Sequence, residues 1–296
     1  MKPLPPPGQS PPGFSLIEMV GVLAIMAIVA AILTPNLGRR ISRSNGEKED
    51  KVLEALAEGL LQYVRANQTI PGSTTWTTNI AAFTGLTVDE VGRVNPSDSS
   101  TYRVYLINPS FSPGSPSSSP VWTQSSTGAA SAANATLMIL SSHKSKLFLP
   151  VKSGPAPSQS TYDSIWNWSY DPATKSSPGE SKSAVSESGA GSAQNIWGPT
   201  WTGNGEYLHV KRINLAPLFQ RVTFSNTDYP TNQPLRQVDN APVTMLDSAA
   251  AVDAYYLNGT CFRLYKAKDA GGSLDLIHTL QSGVNFLYES NRWRIP

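Results

Sequence analysis

The sequence predicts an α+β protein, with a long N-terminal helix packed on an antiparallel β-sheet globular domain that carries long loops. Three observations predict it. Phe14 to Leu33 is a nearly unbroken apolar run, Glu47 to Asn67 repeats apolar residues at helical spacing, and from residue 101 onward short β-branched and aromatic segments alternate with turn formers. Composition agrees, since 22 Gly and 24 Pro in 296 residues favour loop-rich β structure over a helical bundle.

The first element, FSLIEMVGVLAIMAIVAAIL, is 20 residues long and apolar except for Ser15, Glu18 and small residues. At about 1.5 Å per residue such a helix covers about 30 Å, the thickness of a bilayer's hydrocarbon core. An ordinary secretory signal has a shorter apolar run of about 7–15 residues followed by a small-residue cleavage site. Here the run is longer, and Glu18 sits near its start. A carboxylate in hydrocarbon costs about 2.5–3.5 kcal/mol on insertion scales, so Glu18 needs either the headgroup boundary or a partner. Pro35 lacks an amide donor and predicts a kink just past the run.

In the second element Val52, Leu53, Leu56, Leu60, Leu61 and Val64 form an apolar stripe that suits packing on a sheet. Ser44 and Glu47 have capping-box spacing and Asn45-Gly46 reads as a turn, so two readings are open here, a helix that restarts and one that continues from Phe14. Thr87 and Glu90 form a second capping-box pair between two short helical turns expected over Thr78 to Arg93. Strands are expected at Thr101–Ile107, Thr136–Leu140, Lys146–Val151, Tyr207–Ile213, Arg221–Phe224 and Val243–Leu246. Tyr255–Leu257 and Thr260–Tyr265 flank Asn258-Gly259, which predicts a hairpin, and Leu274–Leu280 and Asn285–Ile295 predict a continuing antiparallel meander. Asn108–Asn134, Ser153–Thr161 and Ala173–Gln194 are rich in Ser, Gly, Pro and Ala and are expected to be mobile or partner-ordered loops.

Several function classes receive little support. With 23 Lys+Arg against 21 Asp+Glu and no basic run longer than Arg39-Arg40, nucleic-acid binding is not expected. The single Cys261 cannot close a disulfide within the chain and is expected to be a small buried hydrophobe. His143, His209 and His278 lie at no zinc-ligand spacing, and no nucleophile-elbow or phosphate-loop pattern occurs, so neither a catalytic nor a metal site is expected. Lys268 to Asp275 does not match a calcium-binding helix-loop-helix and reads as a plain turn. Trp166, Trp168, Trp197 and Trp201 lie beside polar loops, where aromatics close a loop-rich core or anchor a sugar or protein partner.

Gly13-Phe14-Ser15-Leu16-Ile17-Glu18 opens the apolar run, and Pro35 follows near its end. This pattern resembles the type IV pilin and type II secretion pseudopilin family, closely from Gly13 to about Pro35 and more loosely along the amphipathic helix. The resemblance implies that a prepilin peptidase cuts between Gly13 and Phe14 and that the new amine of Phe14 is methylated. It also implies that Glu18 pairs with the N-terminal amine of a neighbouring subunit during assembly. Residues 1–13 are then a leader, 14–35 the transmembrane and assembly helix, 36–68 the amphipathic helix, and 69–296 a β-rich globular domain of a pilin-like fold.

The leader holds Lys2 and six prolines, and Arg39, Arg40 and Arg43 follow the run. A positive-inside count alone would place the C-terminal side in the cytoplasm. The cleavage motif is the more specific signal and implies a single-pass protein of the bacterial inner membrane with its globular domain in the periplasm. The function it implies is that of a structural, non-enzymatic filament subunit without a cofactor, a pseudopilin of a type II secretion system before a major or minor pilus subunit. Its partners would be the prepilin peptidase, other pilin or pseudopilin subunits, the secretion or pilus assembly machinery and membrane lipid. A different class of reading is a membrane-anchored exported domain that binds glycans or acts as an enzyme.

Overall fold

The computed structural model describes residues 16–94, 102–116, 118–142, 157–167, 186–187, 194–195, 208–248, 250–267 and 272–296; for 32–39, 42, 142, 164, 186–187 and 194–195 it gives the backbone alone. Helix α1 runs from Leu16 to Asn67 over 52 residues, and its helical backbone continues through Asn45-Gly46 without restarting. By internal contact the chain forms two units, one up to Lys48 and one from Glu49 to Pro296.

In the second unit, α1 lies on a three-stranded antiparallel sheet of β2 (Arg103–Ile107), β4 (Thr136–Ser142) and β7 (Leu208–Asn214) in that spatial order; β1 (Thr69–Ile70) and β3 (Trp122–Thr123) form a small antiparallel pair beside it. Strand pleating sorts the side chains. Tyr105, Ile107, Leu137, Ile139 and Ile213 join the core that buries Leu53, Leu56, Leu60 and Val64 of α1. Leu106, Met138 and Leu140 belong instead to a second cluster with Tyr162 and Ile165 of α4 (Gln159–Trp166). The expected apolar stripe of α1 is therefore the one buried. Two short helices follow β1, α2 (Trp76–Thr84) and α3 (Val88–Gly92), and Trp76 stacks on Tyr105 with ring centroids 5.5 Å apart. The Thr87–Glu90 capping box forms as its spacing predicts, the Thr87 hydroxyl accepting from the Glu90 amide at 3.2 Å and the Glu90 carboxylate from the Thr87 amide at 2.8 Å.

The remaining strands build a sandwich. One sheet orders β11 (Val252–Leu257), β8 (Phe219–Asn226), β14 (Val284–Glu289) and β15 (Arg292–Arg294); the other orders β10 (Thr244–Met245), β9 (Leu235–Val238), β12 (Cys261–Tyr265) and β13 (Leu274–Thr279). Between them Phe224, Tyr256, Phe262, Phe286, Tyr288 and Trp293 make an aromatic core, with the Tyr256 and Phe262 rings edge-on at 5.0 Å. A two-residue pair, β5 (Ser186–Glu187) with β6 (Gln194–Asn195), lies in the Ser-Gly-rich stretch.

Three expectations need correction. Asn258-Gly259 is not a hairpin tip, because β11 pairs with β8 while β12 pairs with β9 and β13. The turn carries the chain from one sheet to the other, its amides donating to Leu218 O and Leu280 O at 2.8 Å. The C-terminal meander holds only in part: β12 and β13 pair antiparallel, but β14 leaves that sheet and runs parallel to β8. The two-residue hairpin is instead at Ser290-Asn291, inside the predicted strand Asn285–Ile295, where φ of 50 and 62 gives the left-handed pair that a strand twist demands. Finally, Asn108–Asn134 is not loose throughout, for Phe111, Val121 and Trp122 enter the α1 core. The expected strand Lys146–Val151 lies outside the described residues.

Candidate functional site

Between Leu16 and Ala31 every side chain of α1 is exposed. Its large apolar residues Leu16, Ile17, Met19, Val20, Val22, Leu23, Ile25, Met26, Ile28 and Val29 are exposed by 47% to 83%. Successive helical residues are rotated by about 100°, so these positions cover every face. A helix apolar all round has no solvent face, and it must be buried in lipid or against other helices. Among the described residues no helix is long and apolar enough to cross a membrane; side chains of the run are described only as far as Ala31, whereas the run in sequence extends from Phe14 to Leu33.

Glu18 lies in the first turn of α1, where a negative charge also meets the positive end of the helix dipole. Pro35 lies inside the helix, while Gly13 and Phe14 lie outside the described residues. Arg43 and Glu47 pair at 3.2 Å across one turn, an exposed contact worth only a few tenths of a kcal/mol, about 0.3–0.5.

A second cluster, which the sequence reading did not single out, forms where α1 meets the sheet. Glu49 and Arg103 are buried together: Arg103 Nε and Nη2 donate to the two Glu49 oxygens at 2.6 and 2.9 Å. Ser141 Oγ donates to the same carboxylate at 2.5 Å, and Arg93 lies 3.7 Å from it. Arg103 Nη1 donates in addition to the carbonyls of Glu90 at 2.6 Å and Val91 at 3.2 Å, tying α3 into the cluster. Burial pushes the Glu49 carboxyl up, but the hydrogen bonds from Arg103 and Ser141 and the positive charges of Arg103 and Arg93 outweigh it, and the group titrates below its ordinary value of 4.5. Arg103, Ser141 and His209 form one cross-strand row, and His209 Nδ1 lies 2.6 Å from the Asp50 carboxylate; Lys211, two rows further, pairs with Glu54. A signal for Glu49 was present, since it lies four residues before Leu53 on the buried stripe, but the charge run Glu47–Lys51 reads as a solvated face.

The other residues weighed in sequence are scattered. His278 meets the edge of Phe286 at 5.5 Å, and Cys261 is a half-buried free thiol rather than a fully buried one. Trp166 stacks on Tyr162 at 6.0 Å, while His143, Trp168, Trp197 and Trp201 lie outside the described residues. Asp275 accepts from the Trp293 amide at 2.6 Å; Lys268 to Gly271 are not described. Among the described residues no three His, Cys, Asp or Glu side chains gather as metal ligands would.

Residues 12–34 match the family model of the prokaryotic N-terminal methylation motif, the prepilin-type cleavage and methylation signature of type IV pilins and pseudopilins. No curated protein and no solved structure matches the chain. The helix followed by a mostly antiparallel β-sheet domain agrees with a pilin-like α+β fold, and the motif supports a pilin-like or pseudopilin subunit.

Proposed function

We propose that the chain is a structural subunit of a pilus-like filament, and within that class a pseudopilin of a type II secretion system. The observation that carries the reading is the all-round apolar helix within a methylation motif: cleavage before Phe14 supplies a new amine, and the helix supplies a surface that only lipid or neighbouring helices can cover. Cleavage between Gly13 and Phe14 leaves Glu18 in the first turn of the mature helix. In lipid a charged carboxylate and a charged amine are each unfavourable by a few kcal/mol, about 2.5–3.5 for the acid, so pairing Glu18 with the amine of an adjacent subunit favours incorporation at one axial step. Residues 14–35 then serve as the membrane anchor before assembly, with Pro35 bending the helix as it leaves the bilayer, and the domain faces the periplasm. The size of the β domain and its appended sandwich support a pseudopilin or minor subunit over a repeating pilus subunit, since every added layer must be accommodated at each repeat.

Crosslinking between subunits tests polymerisation. Glu18→Gln keeps the shape and removes the charge, so at equal membrane levels the cleaved variant should give a weaker crosslinked ladder than wild type. Ladders of equal length and intensity would remove the role assigned to Glu18.

A further inference from the structure

Where α1 leaves its apolar run, it carries charge of one sign. No acidic residue lies between Glu18 and Glu47, and the charged residues in that interval are Arg39, Arg40 and Arg43. The backbone is helical through all three. At 3.6 residues per turn, Arg43 falls about 40° and Arg40 about 100° around the axis from Arg39, so the three positions share one side of the helix. The side chains of Arg40 and Arg43 are exposed. Among the described residues Arg40 has no ion-pair partner. Arg43 meets Glu47 at 3.2 Å, but with the two side chains 82% and 65% exposed, a pair this wet is weak enough for another anion to replace the carboxylate.

Depth along the helix identifies that anion. Counted from Leu33, the last residue of the apolar run, Arg39, Arg40 and Arg43 lie about 9, 10.5 and 15 Å further along the axis. The headgroup layer fills about 5–7.5 Å beyond each side of the hydrocarbon core. A helical side chain lies over the turn N-terminal to its own Cα, which on α1 is the turn nearer the apolar run. One turn back, about 5.4 Å, brings the guanidinium of Arg40 to the level of the lipid phosphates and that of Arg43 just above them. The phosphate of a choline lipid is neutralised by its own headgroup, whereas that of a glycerol lipid keeps its charge and attracts basic residues at the surface. We propose that Arg39, Arg40 and Arg43 form a stripe that binds the phosphates of anionic lipid where α1 emerges from the bilayer. The inference rests on the reading of residues 14–35 as the membrane anchor and names the lipid class that this anchor recruits.

The test uses the full chain reconstituted in vesicles of equal parts phosphatidylglycerol and phosphatidylcholine. Resistance to alkaline carbonate reads insertion, and native mass spectrometry of protein released into mild nonionic detergent reads which lipids it carries. Wild type should stay in the vesicles and carry phosphatidylglycerol in excess. R40Q/R43Q should stay inserted and lose that excess by about fivefold for each arginine removed. Glu47→Gln, which frees Arg43, should raise it. Release of wild type by carbonate would contradict the membrane anchor, and this proposal with it. An inserted chain whose lipid ratio is the same in wild type and R40Q/R43Q would overturn the proposal and leave the anchor standing. A double variant that keeps its phosphatidylglycerol but loses its crosslinks to other subunits would overturn it as well, since the arginines would then serve acidic groups of a neighbouring chain.

Discussion

Removing the guanidinium of Arg103 leaves the Glu49 carboxylate buried without its strongest partner, and this is a strongly damaging single change in the domain. Arg103→Ala should lower the unfolding free energy by about 3–5 kcal/mol, measured by urea denaturation, whereas Arg43→Ala, at an exposed pair, should change it by less than about 0.5. Acid acts on the same group. The folded Glu49 titrates below the ordinary 4.5 while the unfolded residue does not, so its contribution is complete above that value and is lost as pH falls through the folded one. Below about pH 4.5 the stability of wild type should therefore fall more steeply than that of Glu49→Gln; parallel curves would show that another group controls acid unfolding. At the processing site, Gly13→Leu should block removal of the leader, because a side chain would collide with a peptidase fitted to extended glycine backbone, and an unchanged gel shift on maturation would move the cut elsewhere. The methylation motif at residues 12–34 was legible because its Gly, Phe, Glu and apolar run are local in sequence. The pairing of Glu49 with Arg103 was not, since 54 residues separate them and only the folded sheet brings them together.

Turns show the same division between local and non-local information. The Thr87–Glu90 box depends on three residues of spacing and formed as expected. Asn258-Gly259 carries a correct local message, a turn with Gly259 at φ 92, but whether the flanking strands pair with each other is decided by partners elsewhere in the sandwich. Gly259→Ala meets no atom within 4 Å and should still destabilise the domain by about 1–2 kcal/mol, through backbone strain alone. Ser290→Gly is the converse, for it relieves a left-handed residue at φ 50 in the real hairpin and should stabilise by up to about 1 kcal/mol in the same denaturation assay. A loss of stability on Ser290→Gly would mean that the hydroxyl, not the backbone, matters there. The segment Asn108–Asn134 misled for a related reason: its composition is that of a loop, and three large residues, Phe111, Val121 and Trp122, fasten it to the core.

Over the whole molecule the chain divides by solvent. The first helix segment is apolar on every face, and the unit from Glu49 onward closes its own cores. Removing residues 1–35 while keeping the amphipathic part of α1 should leave a folded protein that remains in solution after ultracentrifugation without detergent; recovery only with membranes would reveal a further lipid-binding surface. The α+β class and the buried stripe were readable from periodicity, whereas the parallel β8–β14 pairing and the two-sheet closure were set by long-range packing of aromatics. Maturation of the chain as a prepilin is read out by intact-mass and N-terminal peptide spectrometry of the membrane-extracted protein. The expected product is a chain that begins at Phe14 with a methylated amine. A chain that retains Met1, or one cut after the apolar run, would contradict it.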